Sequence, residues 1–140
     1  MNRVKKSNEK YKQLFGDAVP AGYETDPDFQ DILRRFIFGD VFDQGYLDDK
    51  RRELITLVVL TTNQTLPQLK AHVHAALNDG LTPVVIKEAV YQCAPYLGFP
   101  KTLNALHEVN QVFKTADVAL PLESQTQVEE DTRFEQGLAV

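Results

Sequence analysis

Two histidines stand two residues apart in LPQLKAHVHAALNDG, Leu66 to Gly80, and Glu53 precedes the first of them by nineteen positions. An imidazole titrates near pH 6.5 when unperturbed, so a small environmental shift poises it to give or take a proton at neutral pH. On a helix of 3.6 residues per turn, Leu66, Leu69, Val73, Ala76 and Leu77 share a face, and His72 falls on its edge beside Ala76. That placement suits a proton donor that is partly desolvated yet reachable, and it equally suits a half-buried structural histidine. His74 points elsewhere, sharing a face with Lys70 and Asn78, and reads as solvated. Glu53 has two readings: a hydrogen-bond partner that fixes the His72 tautomer, or an exposed ion pair with Lys50 or Arg51. His72 and His74 point apart and His107 lies on another helix, so no metal-ligand spacing is evident. The single cysteine, Cys93, lies on the stripe of Ile86, Ala89, Val90 and Leu97, where a buried, inert thiol is the simpler reading.

These residues must be positioned by helices. Apolar residues recur at helical spacing in successive blocks and no β-branched alternation occurs, which predicts an all-α bundle of about six helices with short loops. A first helix is expected over Asn8 to Phe15. A second enters through Asp26-Pro27 and stops at Gly39. A third starts near Leu47 with Asp48 and Asp49 in its first turn, and its body LITLVVL, apolar on every side, predicts a place at the centre of the bundle. The fourth covers Leu66 to Asn78 and closes at Gly80. The fifth opens at Thr82-Pro83 and ends at Gly98, and a sixth follows Pro100.

With 140 residues, 43% of them hydrophobic, the chain can bury a core as one domain without covalent staples. Residues 1–116 hold fourteen acids and fourteen bases, so no basic face tracks a phosphate backbone and nucleic acid is not an expected partner. The whole net charge of −5 comes from the segment that begins at Asp117, where 117–130 reads as an acidic linker or arm. Beyond it, Asp131, Arg133, Phe134 and Gln136 echo Asn8, Lys10, Tyr11 and Gln13, so residues 131–140 are expected to open a second copy of the domain. No apolar run approaches membrane-spanning length, MNRVKKSNEKYK lacks the apolar stretch of a secretory signal, and a lone cysteine favours a reducing compartment. The expected location is the cytoplasm.

Three blocks, GDVFDQGYLDDKRRELITLVVL, LPQLKAHVHAALNDGLTPVVIKEAV and YLGFPKTLNAL, together resemble the carboxymuconolactone decarboxylase family, within the alkylhydroperoxidase D-like superfamily. The resemblance runs from about Phe36 to Leu106 in unbroken order. The peroxidase branch carries a Glu, eleven residues, Cys, two residues, Cys, three residues, His. Glu53 and His72 keep that separation here, but Thr65 and Gln68 occupy the cysteine positions. Disulfide exchange needs an attacking and a resolving thiol, so a dithiol peroxidase is chemically excluded. The decarboxylase branch fits better, through His72, Ala76-Leu77-Asn78, Gly80-Leu81-Thr82 and the Tyr-x-Gly-x-Pro motif at Tyr96 to Pro100. Gln92 stands where many members have a further histidine, so the substrate need not be carboxymuconolactone itself.

The resemblance implies a cofactor-independent decarboxylation of a small lactone carboxylic acid, with CO₂ leaving a carbon whose electrons spread into the ring as an extended enolate. The protein must supply donors for the substrate carboxylates, a dry pocket and an acid. His72 is the expected proton donor and Glu53 its partner. Arg52 matches a family arginine able to grip a carboxylate with two prongs, and Tyr96 and Gln92 are the other expected substrate contacts. Arg34 and Arg35 read as a solvated helix face. The resemblance also implies a homo-oligomer, a trimer or hexamer. Two alternatives stay open: a non-catalytic oligomeric module that binds small acids, and a thiol-dependent hydroperoxide reductase.

Overall fold

Asn2 opens the first helix earlier than hydrophobic spacing indicates, because its side chain accepts a hydrogen bond from the backbone N–H of Lys5 at 2.9 Å. The computed structural model describes residues 2–139 and is all-helical. Its elements are α1 (Arg3–Phe15), α2 (Gly22–Thr25), α3 (Pro27–Arg34) continuing into a wide π-type segment Arg35–Val41, α4 (Asp49–Asn63), α5 (Leu66–Asn78), α6 (Pro83–Leu97), α7 (Phe99–Thr115) and, after a 3₁₀ turn, α8 (Arg133–Leu138). Asp48 caps α4 by accepting from the Arg51 N–H at 2.9 Å, and Thr82 caps α6 by accepting from the Val85 N–H at 3.3 Å.

The helices α4, α5, α6 and α7 pack on one another around Leu57, Leu69, Val73, Ala76, Ile86, Val90, Val109, Val112 and Phe113. A second, aromatic cluster lies between α1, the π segment and α5, where Leu14, Phe38 and Ala75 are buried with Tyr11, Phe15, Ile37 and Phe42 packed against them. The tight link between α4 and α5 turns at Gln64, which takes a left-handed conformation (φ 57°). That short turn lays α5 back along α4 and brings Glu53 and His72, far apart in sequence, side by side.

Two expectations are corrected. Gly39 does not stop the second helical segment, which runs on to Val41. Gly39 is buried against α1, where a Cβ would meet the Arg3 carbonyl oxygen at 3.0 Å, so glycine is required there for close helix approach rather than for termination. α4 is not enclosed within the single chain: Ile55, Val58 and Val59 form an open outer face, and only Leu57, Thr61 and the first-turn pair Arg52 and Glu53 are buried. In the acidic segment, Val118, Leu120 and Leu122 pack on the main core and the Val118 N–H bonds the Phe113 carbonyl at 2.9 Å. Among the described helical elements, α8 contacts only the 3₁₀ turn before it. Val140, the last residue of the segment expected to begin a second copy, lies outside the described residues.

Where α5 ends, Asp79 sits at the negative end of the helix. Burial, and then the neighbouring charge of Asp49, push its carboxyl above the usual range against the opposing pull of Gln13, Lys10 and Lys50. A carboxyl with a raised folded-state pKa favours the fold below its unfolded value, near 3.9, and loses that contribution as pH rises through the folded value. Asp79→Asn is therefore expected to stabilise the protein at pH 7 by about 0.3–1 kcal/mol. Thermal melts should show the gain at pH 7 and not at pH 3.

Candidate active site

The start of α4 is held by one arginine. Arg52, only 8% exposed, donates from Nε to the Leu47 carbonyl at 3.1 Å, from Nη1 to the Val41 carbonyl at 3.0 Å and from Nη2 to the Gln44 carbonyl. Its guanidinium also lies 5.7 Å from the Phe42 ring centroid. A single cation thus gathers the loop between the π segment and α4, satisfying carbonyls that no helix ladder reaches. The group expected to grip a substrate carboxylate is engaged with backbone instead.

The next residue, Glu53, is fully buried, and its Oε2 lies 3.0 Å from Nδ1 of His72 on α5. The exposed ion pair with Lys50 or Arg51 is not what forms; Arg51 pairs with Asp48 at 2.7 Å. The His72 side chain is 17% exposed, at the rim of the apolar stripe. A carboxylate on Nδ1 places the ring hydrogen there and leaves Nε2 as the nitrogen free to exchange a proton with a ligand. Glu53 Oε1 is buried with no hydrogen-bond partner. Buried ionisable pairs are poor stabilisers against well-packed apolar residues, and structural ones satisfy their oxygens. An enclosed glutamate bonded by one oxygen to a half-covered histidine is an arrangement able to hold and pass a proton.

The ring is also wedged from the side. Phe15, the last residue of α1, meets His72 edge-on with centroids 5.3 Å apart. It is held there because the Asn78 side chain donates to the Leu14 carbonyl at 2.7 Å, Gln13 donates to Asp49 and Asp79 at 3.2 Å each, and Lys10 pairs with Asp49. α1 therefore lids the histidine, a role its charged sequence did not disclose. Away from the pair, one hollow of about 460 Å³ lies between α6 and the arm, against Tyr91 and Leu122, and one of about 230 Å³ lies beside Lys6 and Phe42.

The model of the carboxymuconolactone decarboxylase family matches residues 27–111, which span α3 to α7 and include both Glu53 and His72. The chain belongs to the carboxymuconolactone decarboxylase family. Among curated relatives, it is 34% identical over 92 residues to 4-carboxymuconolactone decarboxylase of Acinetobacter baylyi, covering 66% of this chain and 69% of that one. It is 32% identical over 77 residues to nitrosuccinic acid decarboxylase of Metarhizium robertsii, covering 55% of this chain and 54% of the relative. An uncharacterized 15.0 kDa protein of Paracoccus denitrificans is 34% identical over 82 residues, 57% of this chain and 61% of its own.

Other features of this family member lie apart from the pair. Tyr96, 82% exposed, and Gln92, also exposed, stand on the outside of α6, and no hydrogen bond joins either to His72 or Glu53. His74 is half-buried rather than solvated, with burial first and Lys70 second lowering its pKa. Cys93 is buried, its thiol is pushed up by desolvation, and its Sγ lies 3.4 Å from the Ala89 carbonyl, so it stays a protonated, hindered thiol. Among the described residues no three His, Cys, Asp or Glu side chains come together to hold a metal ion, and no helix is long and apolar enough to cross a membrane.

Proposed function

We propose that this chain is a cofactor-independent decarboxylase of a small carboxylic acid, with His72 as the proton donor and Glu53 as the group that orients it. The observation that carries the reading is the buried Glu53–His72 hydrogen bond at 3.0 Å inside the region matched to the decarboxylase family. The two substrates named for the relatives share chemistry. In 4-carboxymuconolactone and in nitrosuccinic acid, the carboxylate that leaves sits on a carbon bearing both a carboxymethyl group and an electron sink, an unsaturated lactone or a nitro group. Loss of CO₂ leaves an electron pair that the sink accepts, and a proton must then be supplied to a carbon. Substituted succinates with such a sink, lactone acids first, are the substrate class we assign to this chain.

The sequence of events follows from the residues. The substrate meets His72 at Nε2, and Phe15 beside the ring, with the aromatic cluster behind it, helps exclude water and favours departure of a charged group as neutral CO₂. Imidazolium Nε2–H protonates the resulting enolate or nitronate carbon, while Glu53 holds Nδ1–H and keeps the ring in place. We read the active form as a cytoplasmic homo-oligomer, a trimer or hexamer. The open apolar face of Ile55, Val58 and Val59 on the same helix as Glu53 supports this. We also read residues 131–140 as the opening of a second copy. Arg133, Phe134 and Gln136 repeat the types of Lys10, Tyr11 and Gln13, which in α1 reach Asp49, the aromatic cluster and Asp79. A longer parent chain with another helical copy after Val140 tests that point.

A panel containing 4-carboxymuconolactone, nitrosuccinate and related lactone acids, assayed for CO₂ release, tests the catalytic reading. Release from at least one is the expected result. Saturable binding across the panel without any release would instead identify a small-acid binding module.

A further inference from the structure

The chain buries two apolar cores that scarcely meet. Among the described residues, the larger is drawn from α4 to α7, the turn at Leu81 and the packed start of the acidic segment, and takes none from α1, α3 or the π segment. The aromatic cluster takes only Ala75 from α5; Tyr11, Leu14 and Phe15 belong to α1, and Ile37, Phe38 and Phe42 to the π segment and the residue after it. Residues 3–41 thus form a cap with a core of its own, in which α2, α3 and the π segment lie against one another or α1. Among the described helical elements, α1 is the part of the cap whose backbone reaches α4 to α7, and it does so along α5.

His72 stands in that seam: Glu53 holds it from the core side at 3.0 Å, and Phe15 covers it from the cap side with ring centroids 5.3 Å apart. We infer that the cap swings as one body from the α4–α7 core, parting α1 from α5 to admit substrate to His72; that the seam is the substrate's way in rests on the decarboxylase reading above. An acid that is to meet Nε2 needs room beside a side chain only 17% exposed, and Phe15 leaves with the cap. Closure then returns Phe15 to the ring and shuts water out.

The seam is the weakest join in the molecule. Its apolar share is small, one alanine methyl under the aromatic cluster and one edge-on ring contact. The remainder is polar: Asn78 donates to the Leu14 carbonyl at 2.7 Å, Gln13 donates to Asp49 and Asp79 at 3.2 Å each, and Lys10 pairs with Asp49. Gln13 and Asn78 are exposed, so water replaces their bonds as they break, whereas splitting either cluster opens buried apolar surface. The chain passes from cap to core through residues 42–48, exposed from Asp43 to Asp48. Arg52 grips that loop by the Val41, Gln44 and Leu47 carbonyls, so the cap turns about a fixed foot instead of drifting free.

Two measurements on the full chain test this. Amide hydrogen exchange should show α1, α3 and the π segment opening together, with protection about 10- to 100-fold below that of α5 to α7. Cap helices as protected as the core, or opening one by one, overturn the inference. In a Gln13→Cys/Asp79→Cys protein, a short bis-methanethiosulfonate bridge ties α1 to α5. Bridging should slow diethyl pyrocarbonate modification of His72 by about tenfold or more, leave the exposed His107 unchanged and cut CO₂ release to a similar extent, all restored on reduction. Unchanged His72 labelling in the bridged protein, or an equal loss with the reagent on one cysteine alone, overturns the gate. Bridge-dependent shielding of His72 in a protein that decarboxylates no acid would sink the decarboxylase reading and spare the cap. CO₂ release lost in His72→Ala yet untouched by the bridge would do the reverse.

Discussion

Replacing His72 with alanine is expected to cut CO₂ release by about 10²–10⁴-fold, the range that a positioned general acid supplies. The helical signal and assembly state should persist, because the ring lies at the edge of the core and not within it. Removing it strands Glu53, whose second oxygen already lacks a partner, so some loss of stability accompanies the loss of rate. His72→Gln separates the two effects: its amide can still donate to Glu53 but cannot deliver a proton, so stability should recover while turnover does not. Glu53→Gln, which keeps the volume and a polar contact, should lower the rate by a smaller factor, about 10–100-fold, the scale for groups that orient a working imidazole. Steady-state rates and thermal melts on the same preparations check all three.

The second large effect falls on stability. Arg52→Met keeps the alkyl stem beside Phe42 but leaves the Val41, Gln44 and Leu47 carbonyls without their charged donor. Bonds to a charged group contribute more than neutral ones, and three are lost together, so a destabilisation of about 3 kcal/mol or more is expected from denaturant melts. Arg52→Lys should recover little, since one compact ammonium cannot serve three carbonyls around a planar fork. Turnover should fall in parallel with stability because the neighbouring Glu53 depends on the same turn. A variant that kept wild-type stability and lost only substrate affinity would return Arg52 to the role of substrate clamp.

The sequence disclosed the long helices and the His72 rim position because both follow from one helix's periodicity. Leu69, Val73 and Ala76 are buried as their spacing demands, and His72 stands at their edge. The choice between an exposed and a buried Glu53 was not legible, because it depends on how α5 folds back on α4. Arg52 and Arg34 both depart from expectation for a similar reason: loop carbonyls that capture a guanidinium, and tyrosines from α1 and α2 that flank one, are tertiary facts with no local signature. The apolar body of α4 signalled burial correctly in type but not in place, since one side of it stays open on the single chain.

The most direct test of His72 as proton donor is turnover of a lactone acid in D₂O, with the product's deuterated carbon analysed for configuration. A single deuterium delivered to one face by wild type, and a racemic or absent product from His72→Ala, is the predicted outcome. Wild-type stereochemistry and rate in the alanine variant would contradict it.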